Sequence, residues 1–340
     1  MASTCDAQSL TAAVKALAKD CGAVLVGVAS IDRFDPRPPY FDRAPAGHDP
    51  RDFLPGARSV ISIAQPILPA VLDGPAALMD REVDLVPPDA KRGYLDETYG
   101  ISGHRVQDFF LEFIGQRVGQ LLLEHGYDAM FFPTTSIGPV RTHVANNWRE
   151  VWDRSPFRSS PGPFSHRHAA TRAGLGEFGL NNLVLTREFG PRQRFNSIVT
   201  DAQLAPDPLI DKPICLRQRC GLCLKACYMN AILMRDDKSR RDYRSVEKVD
   251  LDCIFIDTPT RTHPVECDSR TEPGSPCQTV RGDCARICPI PRLSRNLPKR
   301  LQAIVGGALR MQLLAGRNDE QKDNGDSGKG LARNSGMPGC

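Results

Sequence analysis

Nine of the twelve cysteines fall between Cys215 and Cys288, and this clustering restricts the possible folds more than any other feature of the chain. The first group is CLRQRCGLCLKACYMNAI, residues 215–232, with spacing C-x4-C-x2-C-x3-C. The second is VDLDCIFIDTP and then VECDSRTEPGSPCQTVRGDCARICPIPR, which holds Cys253, Cys267, Cys277, Cys284 and Cys288. Cys5, Cys21 and Cys340 are scattered elsewhere. A secreted disulfide scaffold would spread its bridges through the fold and carry a signal peptide. The start, MASTCDAQSLTAAVKALAKD, has no basic region followed by an apolar one and no twin arginine, so a cytoplasmic location is expected. Clustered thiols in a reducing compartment point to metal ligation.

Short loops between cysteines let several sulfurs converge on one centre. A bacterial ferredoxin run reads C-x2-C-x2-C-x3-C-P. Here the last three cysteines of the first group keep that spacing, Cys215 stands two residues early, and Tyr228 replaces the proline. The second group ends in C-x3-C-P, Cys284 to Pro289. In two-cluster ferredoxins the last cysteine of each run ligates the cluster of the other run. That crossover predicts one [4Fe–4S] cluster on Cys215, Cys220, Cys223 and Cys288. A second falls on Cys227 with Cys253, Cys277 and Cys284, leaving Cys267 spare. Two other readings stay open. A structural zinc site would show two C-x2-C pairs, whereas this chain has one. A decayed module would not be expected to keep so many oxidisable thiols.

The rest of the chain is ordinary for a soluble globular protein. Its 340 residues are 41% apolar and 25% charged, with net charge +4; a charge this mild does not point to nucleic acid. No apolar run reaches the ~18 residues of a membrane span. Helical spacing of Leu10, Ala13, Val14, Leu17, Ala18 and Cys21 precedes a strand over 23–29, and a second strand follows near 58–64. Residues 33–56 read as surface loop, and 65–100, broken by prolines and charges, as an insertion or lid. The clearest helix is 103–125, with Val106, Phe109, Phe110, Phe113, Ile114, Val118, Leu121 and Leu122 on one apolar face. Strand YDAMFFP, a helix over 165–173, the loop GLGEFG, and strands NNLVLT and RFNSIVTD complete an α/β or α+β core of residues 1–206. Residues 207–295 form the cysteine module. Residues 296–340 give a short helix and a disordered tail.

Gly174, Gly176 and Gly179 have the G-x-G-x-x-G spacing, but after a helix rather than a strand, which excludes a dinucleotide fingerprint. RAGLGEFG, then LVLTREFGPRQRF, then the aspartate of IVTD, then the cysteine groups together resemble the epoxyqueuosine reductase and reductive dehalogenase superfamily. The resemblance covers residues 165–295. It implies a nitroreductase-like core that binds a corrinoid (cobalamin), fed with electrons by two [4Fe–4S] clusters in an attached ferredoxin-like module. It places Ala173, Gly174, Leu175, Gly176 and Gly179, with Thr186 and Arg194, against the corrinoid. Epoxyqueuosine reductases also carry a proton-donating aspartate upstream of the motif arginine. At the corresponding distance before Arg172 this chain has Ser160, in SPGP, which argues against tRNA epoxide reduction.

A reductive step needs a proton donor near the electron source. Tyr99, His104 and Ser160 are the catalytic candidates. Each taken alone reads as readily as a hydrogen-bonded loop or core group. His166 and His168 lie two apart on a helix and point away from each other, which speaks against a paired metal role. The expected protein is therefore an iron–sulfur reductase acting on a small-molecule substrate. It would take electrons from an external donor of ferredoxin or flavodoxin type. A non-catalytic electron carrier and a zinc-stabilised binding protein are the alternatives.

Overall fold

The computed structural model describes residues 4–35, 49–73, 99–134, 164–227, 232–233, 261–262, 282–295 and 297–308. Its centre is a four-stranded sheet of order β1-β2-β6-β3, built from β1 (Leu25–Ser30), β2 (Ser59–Pro66), β3 (Ala129–Phe131) and β6 (Gln193–Thr200). Every strand pair among the described residues is antiparallel, so the fold is α+β. The register runs Val28↔Ile61↔Ile198 on one face and Ala29↔Val60↔Val199 on the other. Side chains alternate between faces along a strand, and here both sets meet apolar partners. Val28, Ile61, Ile63 and Ile198 pack against α1 (Thr4–Asp20) and α3 (Val106–Glu124). Ala29, Val60 and Val199 pack against α4 (His166–Arg172), Phe34 and Phe132.

The two central strands are thus buried on both faces. In β6 the expected in-and-out alternation is absent: seven of its eight residues are buried. Arg192 and Arg194 are drawn into the molecule with it, Arg192 to 6% exposure. A sheet covered by helices on both sides has no polar face to leave in water.

Helix α3 starts from a π-helical turn at Tyr99–Arg105 and ends at His125 and Gly126, whose φ of +80° breaks the helix. Its buried stripe is Leu111, Ile114, Gly115, Val118 and Leu122. This corrects the expected face: Phe109, Phe110 and Phe113 are exposed. At Gly115 the ring of Phe131 comes so close that a side chain would have to displace it, which sets the helix down on β3. Helix α2 (Pro50–Phe53) is capped by Asp49, whose side chain accepts from Arg51 N–H, with proline in its first turn.

A hairpin of β4 (Glu177–Phe178) and β5 (Val184–Leu185) leads through the Thr186–Gly190 bridge into β6. After β6 the chain returns to the outer edge of β1, where Asp207 N–H donates to Val28 O. There Asp207 accepts from Val28 N–H at 2.8 Å and pairs with Lys15 at 2.5 Å. It then enters the cysteine segment, where α5 (Leu222–Ala226), β7 (Ile232–Leu233), β8 (Arg261–Thr262), α6 (Asp283–Arg286) and α7, residues 299–308, are found. Leu222, Leu224, Ile232, Ile287, Leu297 and Leu301 form its apolar centre. Most of the expected insertion over 65–100 and the tail lie outside the described residues. No described helix is long and apolar enough to cross a membrane.

Candidate metal centre

Cys215, Cys220, Cys223 and Cys288 line one pocket, together with Leu180, Asn181, Leu185, Leu216, Gly221, Pro289 and Ile290. The walls carry no charged side chain. The pocket encloses about 330 Å3 of non-atom space, its mouth included. The first three thiols come from the C-x4-C-x2-C stretch. Its four inserted residues hold a 3-10 turn at Arg217–Arg219, with Arg217 in the left-handed region at φ +42°. Cys223 sits on the buried face of α5, and Cys288 arrives from the far end of the chain just after α6. Cys227 caps α5 and Cys284 lies on α6, both half-buried beside the same apolar centre. Cys253, Cys267 and Cys277 lie outside the described residues.

Burial dominates the chemistry of these thiols. Cys223 is held well above its ordinary value of 9.0, by desolvation first and then by repulsion from Cys215, Cys288, Cys284 and Cys220. Burial pushes Cys288 up to about 12, against the opposing pull of the Ile290 N–H and Arg192. Cys220 is raised by burial, partly offset by the Leu222 N–H. Several thiolates crowded into an apolar pocket are unfavourable unless a cationic centre neutralises them. Among the described residues, no three His, Cys, Asp or Glu side chains gather closely enough to hold a single metal ion. Four soft thiol donors line this one apolar-walled pocket, a donor type that suits zinc or an iron–sulfur centre.

Two side chains that the sequence reading passed over grip the backbone of this ring. Glu177, fully buried in β4, accepts from Ile214 N–H at 2.8 Å and Cys215 N–H at 2.5 Å, and faces Arg217 at 3.9 Å. Arg192, at the start of β6, donates to the carbonyls of Cys288 at 2.6 Å, Ile290 at 2.8 Å and Arg286 at 3.2 Å. Beyond it lies a buried polar chain. Arg286 donates to Leu72 O at 3.0 Å and faces Asp283 at 3.4 Å, which also pairs with Arg300. Asp73 bonds Ser294; burial raises its pKa, with Ser294, Arg192 and Arg286 opposing. A short-range motif could have flagged Glu177 and Arg192, since both stand inside the quoted runs. Their partners are 37 to 98 residues away, however, and no spacing shows that.

The residues assigned to the corrinoid sit as follows. A Cβ on Gly174 would strike the carbonyl of Pro208, one on Gly176 the carbonyl of Leu185, and one on Gly179 the Leu185 side chain. Gly174 N–H donates to Thr171 O, Leu175 N–H to Ala170 O, and Gly179 N–H to Leu183 O. Ala173 is buried beside Phe34 and Phe164. Thr186 Oγ1 accepts from Phe189 N–H at 3.1 Å. Arg194 forks onto Asp108 at 2.8 and 2.9 Å. The close approach that these glycines permit is therefore to the chain itself. Arg172, the arginine of the same motif, clasps the 31–34 turn: its Nε donates to Arg33 O while Arg33 donates to Arg172 O.

Of the catalytic candidates, His104 lies in the π-helical turn with Nδ1 3.1 Å from Asp108. That places it one residue pair from Arg194, and Arg194 is two residues along the strand from Arg192. Tyr99 opens the same turn, its side chain outside the described residues, as is Ser160. His166 is held by Ser197 and Pro133 O, and His168 by Ser165 Oγ with its ring edge-on to Phe178.

No family model matches the chain. A tetrachloroethene reductive dehalogenase of Desulfitobacterium hafniense is 44% identical over 71 residues, which is 20% of this chain and 12% of that protein. Among solved structures, the epoxyqueuosine reductase of Streptococcus thermophilus superposes with TM-score 0.42 and 16% identity, covering 82% of this chain and 64% of the other. Over those 71 residues the chain is similar to a reductive dehalogenase. A reductive dehalogenase structure that suggests a mechanism for B12-dependent dehalogenation superposes with TM-score 0.49 and 18% identity, over 92% of this chain and 38% of that one. An epoxyqueuosine reductase bound to an epoxyqueuosine-modified tRNA stem loop gives 0.45 and 17%, over 83% and 65%. These dehalogenases and reductases are all reductive enzymes. The chain spans less than two thirds of the dehalogenase structure, and its match covers an eighth of the curated dehalogenase.

Proposed function

We propose that this chain is an iron–sulfur reductase whose first [4Fe–4S] cluster is held by Cys215, Cys220, Cys223 and Cys288. The observation that carries the reading is the convergence of these four thiols, from two distant segments, on one apolar-walled pocket. A structural zinc site would show two C-x2-C pairs, whereas three thiols of one ferredoxin-like group joined by the last cysteine of the other follow the crossover of two-cluster ferredoxins. When bound, such a cluster accepts and passes on one electron at a time. Cys227 and Cys284 start a second ligand set, which Cys253 and Cys277 would complete.

In this reading residues 1–206 are a nitroreductase-like substrate domain and residues 207–295 a ferredoxin-like electron-entry module, served by an external donor. Cys223 and Cys288 are buried from water, and Cys215 and Cys220 are half-buried. Asp108 holds the His104 ring by Nδ1, and Arg194 holds Asp108, so His104 is the proton donor proposed for the reductive step. Corrinoid use rests on the resemblance. The loop assigned to it is engaged within the chain, so the proposed electron path ends at the first cluster. The substrate is a small molecule with a reducible bond.

Anaerobically purified protein is expected to show a broad visible thiolate-to-iron absorption that bleaches with dithionite. A colourless, zinc-loaded protein would refute the reading.

A further inference from the structure

Glu177, in β4, and Arg192, just before β6, reach the two distant segments that supply thiols to the same pocket. Each is buried, and each bonds the backbone of a cysteine. The carboxylate of Glu177 has one oxygen on two successive N–H groups, of Ile214 and Cys215. The guanidinium of Arg192 spans three carbonyls, of Arg286, Cys288 and Ile290. One group therefore fixes where the wide C-x4-C loop begins, and the other fixes the turn that presents Cys288. The two carry opposite charge, and in a poorly solvated setting such charges are weakly screened.

We propose that Glu177 and Arg192 are positioning residues of the first cluster site that also bias its reduction potential in opposite directions. This rests on the cluster reading above. One-electron uptake adds negative charge to the site. An anion beside Cys215 opposes that uptake and lowers the potential; a cation at Cys288 favours it and raises the potential. Arg217, 3.9 Å from the carboxylate, moderates the effect of Glu177 without cancelling it, because it lies on the far oxygen from Cys215.

The test is a redox titration of reconstituted full-length protein with a chemical reductant, followed by electron paramagnetic resonance. Glu177→Gln keeps an acceptor oxygen and loses the charge, so its midpoint should rise. Arg192→Gln should fall. Equal midpoints in all three proteins, or shifts of the same sign, overturn the proposal. Arg192→Lys keeps the charge but cannot serve three carbonyls. It should hold the wild-type midpoint with reduced iron occupancy, and full occupancy with an unchanged signal would show that Arg192 does not position the site. If Arg192→Gln is insoluble, this variant decides the positioning role and the midpoint of Glu177→Gln decides the bias, an unchanged or lowered value overturning it. Absence of iron from the wild-type protein would refute the cluster reading itself, and the clamp with it.

Discussion

Cys288 shows at the scale of one residue how burial and ligation oppose each other. Its thiol is pushed from 9.0 up to about 12 in the folded chain, so in the metal-free fold it stays protonated where the unfolded chain would ionise. A folded pKa raised above the unfolded one gives stability that is complete below the unfolded value and is lost as pH rises through the folded value. The urea midpoint of the chelator-stripped protein should therefore fall between pH 9 and about 12. Cys288→Ser should fall less steeply over the same range, and identical slopes would show that the thiol is not buried as described. Ligation reverses the preference, because iron takes thiolate and releases the proton. Glu177 and Arg192 are the other residues on which the site turns. Neither was legible in the sequence as more than part of a motif, since a buried ion declares itself only through partners brought near by folding.

Among elements, the β5–β6 turn joins the sheet to the cysteine segment. Gly190 has φ +57°, and a Cβ there would strike the carbonyl of Ile290. Gly190→Ala should cost about 1–2 kcal/mol for the left-handed backbone alone, and more for displacing Ile290. Urea unfolding measures this, and an unchanged midpoint would contradict so close a contact. The strands of the core were legible because their apolar runs are short and bounded by turn residues; observed ends differ from expected ones by one to three residues. The buried face of α3 was not. Two apolar stripes adjoin on that helix, and hydrophobicity alone does not say that Leu111 and Ile114 turn inward while Phe109 and Phe113 remain outside. The glycine loop was legible as a place of close backbone approach. That the approaching backbone belongs to Pro208 and Leu185 depends on contacts the local sequence does not encode.

Across the whole molecule, a sheet covered on both faces carries a hairpin whose two ends hold a ring of thiols. The four thiols assigned to the first cluster line one pocket; Cys253 and Cys277, assigned to the second, lie outside the described residues. Buried polar links, from Asp73 and Ser294 through Arg192 and Arg286 to Asp283 and Arg300, tie the second cysteine group to the core, so the four-thiol pocket is not a loosely tethered appendage. The most direct test is iron and acid-labile sulfide analysis of protein purified without oxygen. About eight of each per chain, and about four of each in Cys288→Ser, are expected of two four-iron clusters. Zinc with no sulfide in the wild-type protein would rule the clusters out.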